Sequence, residues 1–148
     1  MTEPATTAAA NGGVAALNVA ALNVTALRTG YIAFAARDVP VVLAQLDPDV
    51  KWIETAGGPF AGTFVGPEDV AAGVLGRVAA EWSEFHVEPD DYIASGDSVA
   101  VLGTYRGTYR ATGKAVTARF VHVYRFRHGR IVRYESVGDT AMLNSVLA

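Results

Sequence analysis

The stretch FVHVYRFRHGRIVRYESVGD, residues 120–139, sets one histidine into an aromatic row and follows it with a serine and two acids. In a strand successive side chains take opposite faces. Phe120, His122, Tyr124 and Phe126 therefore share one face, and Val121, Val123, Arg125 and Arg127 the other. An imidazole with an ordinary pKa of about 6.5 suits proton transfer at physiological pH, which makes His122 the first candidate for a general base or hydrogen-bond donor. The competing role is that of a core histidine, buried and bonded to Tyr134 or a water. The carboxylates that could partner it are Glu54, Glu135 and Asp139. Glu54 shares a strand face with Trp52 and can approach from an opposite wall. Glu135 has the opposite parity to Ser136 and pairs more naturally with Arg133 or Arg125. Asp139 precedes TAML, where its competing role is to cap a helix. His86 takes an outward parity and His128 a turn tip. The three histidines and scattered acids show no metal-ligand spacing, so neither a metal nor a cofactor is expected.

These side chains need elements to position them. Apolar residues Val24, Leu27, Tyr31, Phe34 and Ala35 recur at helical steps, with Asn23 as N-cap of a helix running to Arg37. Asp38 and Pro40 start a second short helix, VPVVLAQL, which Asp47-Pro48-Asp49 stops. Val50–Thr55 is a strand, residues 57–66 a glycine-rich loop presenting Phe60 and Phe64, and Gly66-Pro67-Glu68-Asp69 opens a third helix reaching about Trp82. Alternation then persists through 84–94, 98–110, 114–127 and 130–137, with turns at Ser95-Gly96-Asp97, Thr112-Gly113 and His128-Gly129. Hairpins in series make an antiparallel sheet. A three-residue connection, Arg127-His128-Gly129, would pair His122 with Tyr134 and Phe120 with Ser136. The order of elements predicts an α+β domain in which helices close a bent sheet into a cone with an apolar interior.

Of the 148 residues 51% are apolar and 18% charged, which fits one domain with a sizeable core. There is no cysteine, so disulfides and thiolate chemistry are excluded and a cytoplasmic setting is expected. The N-terminal segment repeats AALNV twice and lacks both the basic start of a secretory signal and the length of a membrane span. It reads as a loose tail, and no membrane partner is expected. Between Asp97 and Glu135 there is no carboxylate, while eight Lys and Arg residues fall there. No nucleic-acid motif accompanies them, so they are assigned to solvated strand faces and turns and no nucleic-acid partner is expected.

The segments TGYIAFAARDVPVVLAQLDPDVKWIE, GPFAGTFVGPEDV, FVHVYRFRHGRIVRYES and GDTAML resemble the nuclear transport factor 2-like superfamily, within it the SnoaL-like branch of polyketide cyclases and relatives of ketosteroid isomerase. The resemblance covers residues 23–148 and leaves 1–22 as a flexible tail. It implies a cone-shaped α+β barrel, a curved antiparallel sheet on about three helices. It also implies an active-site histidine at His122 and an acid/base aspartate where this chain has Ser136. Serine without an activating partner cannot hold that charge near neutral pH. The two aspartates of limonene-type epoxide hydrolases have no counterpart in Ser98–Arg127, which argues against that mechanism.

Two functions follow as expectations. One is a cofactor-free cyclase or isomerase acting on a hydrophobic ketone or polyketide-like molecule through His122, Glu54 and Asp139. The other is a non-catalytic small-molecule-binding or dimerisation module of the same fold. In either, Tyr31, Trp52, Phe60, Phe64, Trp82, Tyr105, Phe120, Tyr124, Tyr134 and Ser136 are the candidate ligand contacts. An apolar strip of Val121, Val123, Ile131 and Val137 on the outer sheet face predicts a homodimer.

Overall fold

The structure is a computed structural model that describes residues 6–148; residues 1–5 of the expected tail lie outside the described residues. Helix α1 spans Thr6–Ala35, so it begins well before the expected N-cap, and Asn23 lies buried in its interior. The reason is cooperative. A helix nucleated by the packed Val24–Phe34 stretch adds preceding residues at little cost, and the segment before Asn23 is rich in alanine, the best helix former. Leu27 is buried at 2% exposure while Leu22 is 68% exposed, as leucines five apart on a helix require.

After α1 come α2 (Val39–Ala44), β1 (Leu46–Glu54), β2 (Gly62–Val65), α3 (Pro67–Val70), a π-helical turn (Ala71–Leu75), α4 (Gly76–Glu81), β3 (Trp82–Ser95), β4 (Ser98–Tyr109), β5 (Ala115–Arg127), β6 (Arg130–Gly138) and α5 (Thr140–Asn144). Asp38 caps α2, as expected. Two strand assignments change. The Asp47-Pro48-Asp49 stop lies inside β1, across a register shift between Leu46 and Lys51 that absorbs the proline. Part of the expected glycine-rich loop forms β2, which pairs with β1 from Lys51↔Val65 to Glu54↔Gly62.

The six strands are ordered β2-β1-β6-β5-β4-β3, all neighbours antiparallel except β1 and β6. Irregularities in β3 after Trp82 and Pro89, and between β5 and β6, help bend this sheet. Its concave face meets α1, α2 and α4 over a core that includes Leu27, Leu46, Val50, Val74, Val101, Phe120 and Ile131. The convex face carries the arginines: Arg106 pairs with Glu88 at 2.9 Å, Arg133 with Glu135 at 3.4 Å, and Arg119 with Asp90. The described helices include none long and apolar enough to cross a membrane.

Candidate functional site

Strand β5 turns Phe120, His122, Tyr124 and Phe126 into the cone, each with at most 5% exposure. The turn that follows has two residues, with His128 and Gly129 both at positive φ and Arg127 opposite Arg130. This corrects the expected three-residue connection. The shorter turn shifts the pairing by one residue, and a bulge on β6, where Arg125 faces Arg133 but Phe126 faces Ile131, shifts it by one more. His122 therefore stands opposite Ser136 and Tyr124 opposite Tyr134. The same bulge turns Ile131 into the core, so it leaves the outer strip on which alternation placed it.

The imidazole is held by two phenols. Tyr31 Oη, from α1, lies 2.7 Å from Nδ1, and Tyr105 Oη, from β4, lies 2.5 Å from Nε2. Tyr134, the partner expected from sequence, meets the ring edge-on instead. Phe120 stacks beneath the imidazole with centroids 3.9 Å apart. Gly103 lies across from Phe120, and a Cβ at that position would collide with the ring. Tyr31 Oη also lies 2.9 Å from Tyr124 Oη. Burial pushes the His122 pKa down to about 3, so the ring is neutral at pH 7. Burial likewise holds the phenols of Tyr31, Tyr105, Tyr124 and Tyr134 above their ordinary range. A neutral imidazole donates from one nitrogen and accepts at the other. The chain Tyr105–His122–Tyr31–Tyr124 then has two hydrogen-bond directions. In one the proton left over sits on Tyr124, in the other on Tyr105, and both phenols line the cavity.

The charge comes from β1. The parallel register sets Trp52 beside Tyr134 and Ile53 beside Glu135, which brings Glu54 to Ser136. Glu54 is 8% exposed; Oε1 accepts from Trp52 Nε1 at 2.7 Å and Oε2 accepts from Ser136 Oγ at 2.8 Å. Ser136 is held in turn by Thr55, whose backbone N–H donates to Oγ and whose Oγ1 donates to the Ser136 carbonyl. Burial raises the Glu54 pKa above the ordinary glutamate range, and the bonds from Trp52 and Ser136 only partly offset it. The described residues include no Lys or Arg that pairs with Glu54.

Glu54, His122, Tyr31, Tyr105, Tyr124, Tyr134, Trp52 and Phe60 all border one cavity of about 90 Å³, enough for several waters. The other candidates fall elsewhere. Asp139 is exposed and caps α5, accepting from Met142 N at 3.1 Å. Phe64 sits on β2 and packs against the π turn at Gly73. Trp82 borders a wider hollow outside the cavity, Phe120 lies behind His122, and Ser136 lies behind Glu54. Sequence reasoning missed Phe34, Val74, Leu75, Val78, Phe85 and Val87, which form much of the apolar wall. Their signal was the helical period and the inward parity of β3. Among the described residues no group of three or more His, Asp or Glu could hold a metal ion.

Residues 27–134 match the SnoaL-like domain. The chain belongs to this family. The comparison with curated proteins found no match to this chain. Among solved structures it is similar to an NTF2-like protein from Burkholderia thailandensis, 32% identical, covering 85% of this chain and 97% of that one with a TM-score of 0.82. An NTF2-like protein of unknown function from Burkholderia pseudomallei is 40% identical, with 86% and 98% covered and a TM-score of 0.79. TerC, co-crystallised with polyporic acid, is 29% identical, with 84% and 97% covered and a TM-score of 0.78. The SnoaL-like domain thus has the NTF2-like cone, with its carboxylate on β1 and a serine at the β6 position where the resemblance implies an aspartate.

Proposed function

We propose that this SnoaL-like domain is a cofactor-free cyclase or isomerase that moves a carbon-bound proton in a hydrophobic ketone or polyketide-like molecule. The observation that carries the reading is Glu54: a buried carboxylate with no cationic partner among the described residues, bordering a mostly apolar cavity. Desolvation makes it a stronger base than an exposed glutamate, and a proton taken from a carbon next to a carbonyl can be returned at another carbon. The oxygen that becomes negative in that step needs a donor. The proton at the Tyr124 or Tyr105 end of the phenol chain supplies one, in a site where burial strengthens the bond. Because His122 is neutral, its part is to set the direction of that chain rather than to hold charge. That TerC binds polyporic acid supports a small oxygenated aromatic molecule as the kind of ligand to test.

The test compares wild type, Glu54→Gln and His122→Ala for binding and turnover on a panel of enones and aromatic polyketides. Glu54→Gln is expected to lower turnover by about 10²–10⁴ while leaving binding within a few fold. Binding without turnover by the wild type would leave the alternative, a small-molecule-binding module.

The proposal includes a homodimer through the convex sheet face. Val137 and Ile93 are 55% and 59% exposed there, beside half-buried Val121, Val123 and Leu102, with the arginine ion pairs around them.

A further inference from the structure

A second hollow of about 270 Å³ adjoins the cavity, and the two share Phe34, Val42, Leu75, Val78, Phe85 and Val87 as the apolar neck between them. This outer chamber differs from the inner one, which Glu54 alone borders with a carboxylate, because four charged side chains border it and one of them is a cation. Three are acids, and each has a partner. Asp38 caps α2, Glu88 pairs with Arg106 at 2.9 Å, and Glu84 accepts from Thr108 Oγ1 at 3.2 Å with His86 3.6 Å away. The fourth is Arg37, whose side chain forms no ion pair or hydrogen bond among the described residues.

Arg37 also stands where the backbone favours another residue. It ends α1 at φ 58°, with its N–H donating to Phe34 O at 3.0 Å and the Asp38 N–H donating to Ala33 O at 2.8 Å. That pair of bonds is the Schellman termination, and its left-handed position is normally glycine. A cation near a helix C-terminus is favourable through the dipole, but Lys or Arg anywhere in the last turn would serve that purpose without the strained φ. The observed position puts Arg37 on the wall of the chamber that adjoins the Glu54 cavity.

We propose that the outer chamber is a carboxylate subsite built on Arg37, so that the ligand of the inner cavity is an amphiphile with an apolar body in the neck and an anionic group at its outer end. The inference rests on the inner cavity being a small-molecule site. A guanidinium receives a carboxylate through two parallel hydrogen bonds, which fixes orientation as well as affinity. The bound molecule would then present its inner end to Glu54 and the phenols in one direction only.

Calorimetric titration with biphenyl-4-carboxylate and its methyl ester tests this on wild type, Arg37→Gln and Arg37→Gly. Wild type is expected to bind the acid about tenfold or more tighter than the ester at low salt, with the advantage shrinking as salt is raised. Both substitutions should abolish the preference and leave ester affinity within about twofold. Arg37→Gly should also raise Tm by a few degrees, since it relieves the left-handed φ, which shows that the lost preference is not lost folding. Equal affinity for acid and ester in wild type, or a preference that survives both substitutions, overturns the subsite alone. Failure of both probes to bind wild type overturns the small-molecule site and the subsite with it.

Discussion

Glu54 and His122 are both buried titratable groups, and burial moves them in opposite directions with opposite consequences for stability. Glu54 has its pKa raised in the folded state, so its contribution is present below the ordinary glutamate range and is lost as pH rises through the folded value. Glu54→Gln is therefore expected to raise Tm at pH 8, with the gain fading on acidification, while activity falls; a lower Tm at pH 8 would count against a desolvated carboxylate. His122 has its pKa lowered from 6.5 to about 3, so the folded state binds fewer protons than the unfolded one across that window. Stability should fall as pH drops through it, by on the order of 5 kcal/mol in all. His122→Gln, although destabilised at neutral pH by the two phenols it leaves short of a partner, should lose one proton's worth of that slope in chemical denaturation across pH. A third buried polar group is Asn23, 4% exposed with an amide nitrogen that has no partner among the described residues. Asn23→Leu should stabilise the fold by about 1–3 kcal/mol, read from the denaturation midpoint at unchanged m-value.

The strands β3 to β6 were legible because a half-buried strand alternates, and that alternation placed His122, Tyr124 and Phe120 on the inner face and the arginines on the outer. What it could not give is where a strand departs from its period. The two-residue turn and the bulge on β6 each shift the pairing by one residue: the bulge carries Ile131 from the surface to the core, and together they exchange Tyr134 for Ser136 as the neighbour of His122 across the pair. The β5–β6 turn rests on His128 at φ 51°, where asparagine is better accommodated. His128→Asn should stabilise by about 0.5 kcal/mol, and Gly129→Val should destabilise by more, in the same denaturation assay. β2 escaped notice because four residues beginning with glycine carry no periodic signal. The π turn at Ala71–Leu75 was equally hidden; at Gly73 a Cβ would strike the Phe64 ring, so only glycine lets that turn seat against β2. Parity found Glu54 as well as His122. The phenols that hold the histidine come from α1 and β4, and only the assembled cone brings Tyr31 and Tyr105 to its two nitrogens.

At the scale of the molecule, strand pairing sets a carboxylate beside Ser136, the position where the resemblance implies an aspartate. The parallel β1–β6 pair sets Glu54 against Ser136, so the carboxylate reaches the cone from the neighbouring strand and the serine orients it. The cone around it is closed by few polar ties: Gln45 Nε2 donates to Ala26 O at 2.7 Å and the Ile131 N–H donates to Gln45 O at 2.9 Å, joining α1, α2 and β6 beside the cavity. The proposed dimer covers the convex face with a second copy. Sedimentation at micromolar concentration is expected to show a dimer, and Val137→Lys, set among Leu102 and Val121, should return it to monomer without unfolding; a monomeric wild type would contradict the interface. Everything proposed for the cavity depends on how Glu54 ionises. A carbon-13 NMR titration of glutamate-labelled protein, with Glu54→Gln to assign the signal, measures it without any substrate. The account predicts a Glu54 midpoint above the ordinary glutamate range, and a midpoint within or below that range would contradict it.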